Sequence, residues 1–329
     1  MTMEMIAKTD CSWSHNTDTA ALHSIVQYTE LAGMTLVEVM GYTAHAFRII
    51  IDPEAVEVGS YSHFDWKLNH EEALNNLGFS VQYAGKQTNI PPTPEELEEG
   101  IQLVQQAIDR GIPALSWDLF IPEWGVIYGY DDNRRVFQCR DVRQDAELPY
   151  EKLGRGEVTE LYVLGISGYQ PVSRRAMLRG ALELALRHAE EILPGLEKSK
   201  HRNGIAAYDA WIKAFTNRTV EAFGNSVNTV KVWDAREFAV KFLEDVVANW
   251  PNEKDRDSSQ LRQLASEAAA HYRIVADRLG ALVSLFPFPQ GGEPNQEAVA
   301  SRSIELLQDA KAAEVQGVRV LEQMLESLD

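Results

Sequence analysis

After Ser167 the apolar residues of this chain take up helical spacing and hold it almost to the C-terminus. The segment SRRAMLRGALELALRHAEEIL sets Met177, Leu178, Leu182 and Leu186 on one side of a 3.6-residue period. Further helical segments follow over roughly 204–223, 230–249, 257–285 and 295–328, separated by breakers at Pro251-Asn252 and from Pro287 to Pro294. No strand is expected here. The stripes in FAVKFLEDVV and AAHYRIVADRLGALVSLF are wider than an isolated helix can hide, so neighbouring helices must cover them. An all-α bundle over 170–329 is the expectation. Leu285, Phe286 and Phe288 gather at one helix end, where they either close the bundle core or serve an inter-domain or homodimer contact.

The first half, residues 1–169, reads differently: strands and helices mix, as in an α+β domain. A helix is expected from about Thr17 to Glu30, capped by Asn16 or Thr17. LAGMTLVEVMG turns at Gly33 into a short helix ending near Gly41, and AFRIIID reads as a strand stopped by Asp52-Pro53. The clearest boundary is TPEELEEGIQLVQQAIDRG. Thr93 is the N-cap, Pro94 takes the first helical position, Glu96 completes a capping box and Gly111 ends the helix. IPALSWD, EWGVIYGYDD, RRVFQCRD and EVTELYVLGI follow as strands, the middle two joined through Asp131-Asp132-Asn133 as a hairpin.

Charge and cysteine usage narrow the function classes. A net charge of −18 offers no basic face for phosphates or an anionic lipid surface, which argues against nucleic-acid and membrane partners. No apolar run approaches the ~20 residues that span a bilayer, and the N-terminus lacks the pattern of a signal peptide. The two cysteines, Cys11 and Cys139, form neither a disulfide framework nor a zinc spacing, so a reducing cytoplasm is the expected compartment. No pair of histidines has metal spacing, and neither a metal nor a cofactor is expected. Walker A, GxGxxG and CxxC patterns are absent. HEEAL at His70 lacks the second histidine of a zincin, and GISG at 165–168 lacks the glycine spacing of a nucleophile elbow.

The pieces that carry a resemblance are Ala21-Leu22, Gly33, Leu36-Val37-Glu38, Gly41 and Ala46-Phe47-Arg48, followed by GIPALSWDLF and VIYGYDD. Over roughly residues 10 to 166 the chain resembles the N-terminal domain of the butirosin biosynthesis protein H family, which is similar to the C39-like, papain-like cysteine peptidases. The second half resembles the helical domain that often follows in that family. The resemblance implies a papain-like fold with a cysteine at a helix start. The dipole and a neighbouring imidazolium would favour its thiolate, and a carboxylate would orient the ring. For the family it implies acyl transfer from a carrier thioester to an amine.

Two departures weaken that chemistry. Asn16 and Thr17 stand where the cysteine belongs, with Cys11 further upstream, and Glu123 replaces the histidine that opens the PEWGVIYGYDD strand. A carboxylate beside a thiol disfavours the thiolate. The expected function is therefore a catalytically degenerate papain-like domain, a pseudoenzyme that binds a small molecule or peptide, in specialised metabolism. The alternative is a hydrolase or acyltransferase with an acyl carrier protein as partner. It would work through Cys11, with His15 as the local imidazole and Asp141 as the orienting carboxylate. Trp117 and Trp124 with Asp118, Glu123 and Tyr128 would line a pocket with an apolar wall and an acidic floor, suited to an amine or another cationic ligand. Trp13 is a further candidate for that wall, and Cys139, alternating with Phe137, is expected to be inert core.

Overall fold

The computed structural model describes residues 14–86, 89–190, 192–250 and 256–328. In chain order the elements are α1 (Thr17–Val26), α2 (Leu36–Tyr42), β1 (Ile50–Ile51), α3 (Trp66–Asn76), β2 (Phe79–Gly85), α4 (Pro94–Asp109), β3 (Ala114–Trp117), β4 (Trp124–Asp131), β5 (Val136–Arg140), β6 (Asp145–Pro149) and β7 (Tyr162–Tyr169). Then come α5 (Arg174–Glu190), β8 (Arg202–Asn203), α6 (Ile205–Asn217), α7 (Ala222–Asn249), α8 (Arg256–Leu285) and α9 (Glu297–Glu326). Two compact units divide the chain, Met1–Val39 with His70–Val172, and Met40–Asn69 with Ser173–Asp329. The division lies beside the sequence boundary near residue 170. Residues 40–69, read from sequence as part of the first domain, group with the helical unit instead. None of the described helices is long and apolar enough to cross a membrane.

The first unit is built on one six-stranded antiparallel sheet in the order β2-β7-β3-β4-β5-β6. The hairpin through Asp131 joins β4 to β5, and Asp131 Oδ1 accepts from the backbone N–H groups of Asn133 and Arg134 to close it. Helix α4 starts as its sequence requires. Thr93 Oγ1 accepts from the Glu96 N–H, and the Glu96 carboxylate accepts from the Thr93 N–H. Gly111, at φ +84, takes the chain out of the helix in a conformation that L side chains rarely adopt. The apolar face of α4, with Ile101, Val104, Ala107 and Ile108, forms a core with Ala114, Ile127, Phe137, Cys139, Leu148 and Val163 of the sheet. Helix α1 packs on β4 and β3. It is shorter than the sequence suggests: the Tyr28 and Thr29 N–H groups bond three residues back, to Ile25 and Val26, and wind the chain into a tight turn. Strands β2 and β6 and helix α3 are absent from the sequence reading.

The second unit is mainly helical. Successive long helices α7, α8 and α9 pack along one another, and α9 also carries α5 and α6. Its core runs from Trp211 and Phe215 on α6 through Val275, Leu279 and Leu282 on α8 to Leu306, Leu307 and Ala310 on α9. Phe286 is buried in that core, whereas Phe288 is half exposed, so the 285–288 cluster closes the bundle for the most part. The α7–α8 break read at Pro251-Asn252 lies outside the described residues. Two sequence expectations need correction. AFRIIID forms only the two-residue strand β1, because Ala44 adopts a left-handed φ of 59° and starts a 3₁₀ turn over His45–Phe47. And the helical half does hold a strand: β8 pairs antiparallel with β1, Ile50 opposite Asn203 and Ile51 opposite Arg202. At Gly41 in α2 an added Cβ would fall 1.9 Å from the ring of Phe242, which stands edge-on to Tyr42 at 5.0 Å.

Candidate functional site

In the first unit the start of α1 meets the start of β4. Thr17 Oγ1 donates to Glu123 Oε2 at 2.5 Å, and the backbone N–H of Trp124 donates to Thr17 Oγ1 at 3.3 Å. The threonine oxygen therefore gives one hydrogen bond and receives another. Asn16 occupies the cap position without a side-chain capping bond, and its own N–H donates to Ser14 Oγ at 2.9 Å. His15 lies half-buried in the bend just before α1. Cys11 and Trp13 lie outside the described residues.

Trp124 is held in an aromatic group. It stands 5.1 Å from Trp117, 4.7 Å edge-on from Tyr162 and 4.8 Å edge-on from His70, whose Nδ1 bonds the Tyr162 hydroxyl at 2.7 Å. The structure thus brings Thr17, Glu123, Trp124 and Trp117 together. Tyr128 is engaged elsewhere: its hydroxyl donates to Asp145 Oδ1 at 2.5 Å, and burial, with that bond second, pushes its pKa up to about 12. Asp118 turns to a loop, where its Oδ2 accepts from the Val158 N–H at 2.6 Å. Its backbone is in the left-handed region at φ 52°, its Oδ1 is buried without a hydrogen-bond partner, and burial followed by the nearby carboxylates of Glu157 and Asp141 raises its pKa. Burial likewise lifts Glu160 to about 7. Asp141 Oδ1 accepts from the N–H groups of Arg143 and Gln144 and shapes the turn after β5. Cys139 is fully buried, and burial pushes its thiol well above the ordinary range.

The second unit holds a group that the sequence reading did not anticipate. The donor atoms of Glu57, His63 and His201 all lie within 4.8 Å of one another. The two imidazoles face each other at 3.6 Å between centroids with 30° between planes, and His201 Nε2 stands 3.4 Å from Glu57 Oε1. His201 is only 2% exposed, and its Nε2 has no hydrogen-bond partner. Leaving a buried polar atom unpaired costs on the order of 1–3 kcal/mol, so this nitrogen needs an explanation. Its Nδ1 is bonded to Ser199 Oγ at 2.9 Å. Burial first, then His63, lowers the His201 pKa, which favours the neutral ring.

Local chain geometry explains how these residues meet. The β1–β8 pair lays residues 50–51 against 202–203. After β1, Asp52 accepts from the Glu54 and Ala55 N–H groups and turns the chain. The Glu57 carbonyl is fixed by the Ser60 hydroxyl at 2.8 Å and Asn228 Nδ2 at 3.0 Å, and the 3₁₀ turn Val58–His63 then delivers His63. On the other side Arg202 donates to the carbonyls of Ser199, Lys200 and His201 and holds the loop closed. His201 also borders a cavity of about 480 Å³ lined by Ile192, Ile205, Asp209, Val318 and Arg319 among others. No local spacing in the sequence announces this group. Glu57 and His63 sit on one short segment, and His201 arrives from far along the chain.

No protein-family model and no curated protein matches this chain.

Proposed function

We propose that the first unit is a catalytically degenerate papain-like domain that binds a small molecule or peptide bearing an amine. The observation that carries this reading is the hydrogen bond between Thr17 and Glu123 at the start of α1. In the fold that the sequence resembles, a thiol and an imidazole would meet there. A hydroxyl that donates to a carboxylate while accepting from the Trp124 N–H is committed twice over, which suits a positioning group better than a nucleophile. Glu123 directly precedes Trp124, whose ring packs on Trp117, and an ammonium group gains from both a carboxylate and an aromatic face.

The test is a thermal-shift series with aliphatic amines from methylamine to spermidine and a lysine-containing peptide, repeated on Glu123→Gln and Thr17→Val. A rise in Tm with at least one amine, lost in Glu123→Gln, is the expected result. No shift with any of them, or a shift indifferent to Glu123, removes the proposal. Iodoacetamide labelling against pH decides the enzymatic alternative. Cys139 is buried, so native labelling reads Cys11. A thiol pKa well below ~8.5 would move the reading to a Cys11 thioester enzyme fed by an acyl carrier protein.

A further inference from the structure

We propose that Glu57, His63 and His201 form a binding site for a divalent transition-metal ion of the zinc class. Two imidazoles and one carboxylate make a donor set that suits zinc, cobalt, nickel or ferrous iron. Magnesium and calcium prefer oxygen donors throughout and would be poor occupants.

Two independent observations carry the assignment. The first is convergence: three donors from two distant stretches of chain lie within 4.8 Å of one another inside the second unit. The second is the state of His201. Its ring is buried, its Nε2 is without a hydrogen-bond partner, and that atom faces the Glu57 carboxylate at 3.4 Å. A buried ring nitrogen without a hydrogen bond is uncommon in folded proteins, and here it stands next to a carboxylate that is itself a metal donor. Ser199 bonds the other nitrogen, Nδ1, which fixes the ring plane. In the tautomer with the proton on Nδ1, that proton is donated to Ser199 Oγ and Nε2 keeps a lone pair for a metal. This is the outer-shell support that metal-binding histidines show.

The nearby charges must allow a cation. Lys200 Nζ is the opposing one, 3.7 Å from Glu57 Oε1, but it is held more closely by Asp52 at 3.1 Å and Glu54 at 2.9 Å. Those two carboxylates balance the ammonium, and Glu57 keeps its charge for the imidazoles. Metal–nitrogen bonds of ~2.0–2.1 Å require the three donors to draw closer together. His63, exposed on its short turn, is the ligand able to move, whereas His201 is packed in place. Three protein ligands leave coordination positions for water or a bound molecule, as in sites where the metal handles a ligand rather than only bracing the fold.

The test uses the full chain without an affinity tag. Zinc chloride is titrated by calorimetry and cobalt chloride by visible absorption, with magnesium chloride as competitor. His63→Ala and Glu57→Gln are the principal variants, since both side chains reach solvent and their replacement leaves the core intact, which circular dichroism verifies. One equivalent of zinc per chain is expected, together with a cobalt spectrum of reduced coordination number and no competition by magnesium. Each variant should weaken zinc by more than the roughly 10- to 100-fold that loss of a mere outer-shell partner brings, and Ser199→Ala should fall within that smaller range. Failure of the parent protein to bind zinc stoichiometrically overturns the assignment. So does binding that is unchanged in both His63→Ala and Glu57→Gln.

Discussion

Replacing Glu314 by Gln should destabilise the helical unit by about 3–5 kcal/mol, the usual cost of stranding one partner of a buried ion pair. Arg236 on α7 is 0% exposed. Its guanidinium grips Glu314 on α9 through two bonds, Nη2 to Oε1 at 2.6 Å and Nε to Oε2 at 3.0 Å. Nη1 donates to the carbonyls of Ala46 and Arg48, at 3.1 and 3.0 Å. Tyr208 donates its hydroxyl to the same Glu314 carboxylate. Glutamine keeps the shape but removes the charge, and its amide presents a donor where the arginine also presents one. A buried cation is then left with neutral acceptors only, the glutamine amide oxygen and the two backbone carbonyls.

Arg236→Met/Glu314→Leu removes both charges, and its cost comes instead from the orphaned carbonyls of Ala46 and Arg48 and the Tyr208 hydroxyl, roughly 1–3 kcal/mol for each group that water cannot reach. The double variant should therefore lose less than the sum of its singles Arg236→Met and Glu314→Leu, with a coupling of about 2 kcal/mol or more. Urea unfolding followed by circular dichroism in the helical band measures the parent, Glu314→Gln, these two singles and the double. A Glu314→Gln loss below ~1 kcal/mol, the range of exposed pairs, would refute the reasoning, and so would strictly additive singles. Through its bonds to Ala46 and Arg48, Arg236 also anchors the segment that leads into β1 and onward to Glu57.

Glu160 should impose a pH dependence on stability between about 4.5 and about 7. A carboxyl whose pKa is raised in the folded state keeps its proton where the unfolded chain has lost it, so stability falls as pH rises through that window, by roughly 1–3 kcal/mol; Glu160→Gln should flatten the curve in parallel urea titrations. Gly41→Ala should cost at least about 1–3 kcal/mol by driving a methyl into the Phe242 ring, and adding Phe242→Leu should recover part of it in the same assay. Lys200→Met should tighten zinc binding in calorimetry by removing a cation 3.7 Å from Glu57 Oε1; weaker binding would contradict the electrostatic account of the site.

Signals that lie within one turn of chain were legible in the sequence, and signals that depend on distant partners were not. The Thr93–Glu96 capping box and the turn at Asp131 are local chemistry, and both form as read. The helices after Ser173 could be seen because their apolar stripes repeat over many turns. Strand β8 could not, since two residues, Arg202 and Asn203, have no period at all and become a strand only by pairing with β1. Helix α3 is polar over most of its length and sends out no clear stripe, and β6, DAELP, reads as loop until β5 is beside it.

The same division runs through the two candidate sites. Only the resemblance, which sets the order of elements, pairs Thr17 with Glu123 in the sequence, and their hydrogen bond joins the start of α1 to the residue before β4. The resemblance groups Tyr128 and Asp118 with them around one cleft, yet their side chains bond Asp145 and the Val158 N–H. Strand geometry gives the reason for Tyr128: it lies four steps along β4 from Trp124, so even on the same face the two residues are ~13 Å apart along the strand. For Glu57, His63 and His201 neither route was open. Their meeting depends on a two-residue ladder and on a loop tied by Arg202, features set by tertiary structure alone. A histidine count sees eight unremarkable imidazoles; burial and the unpaired Nε2 single out His201.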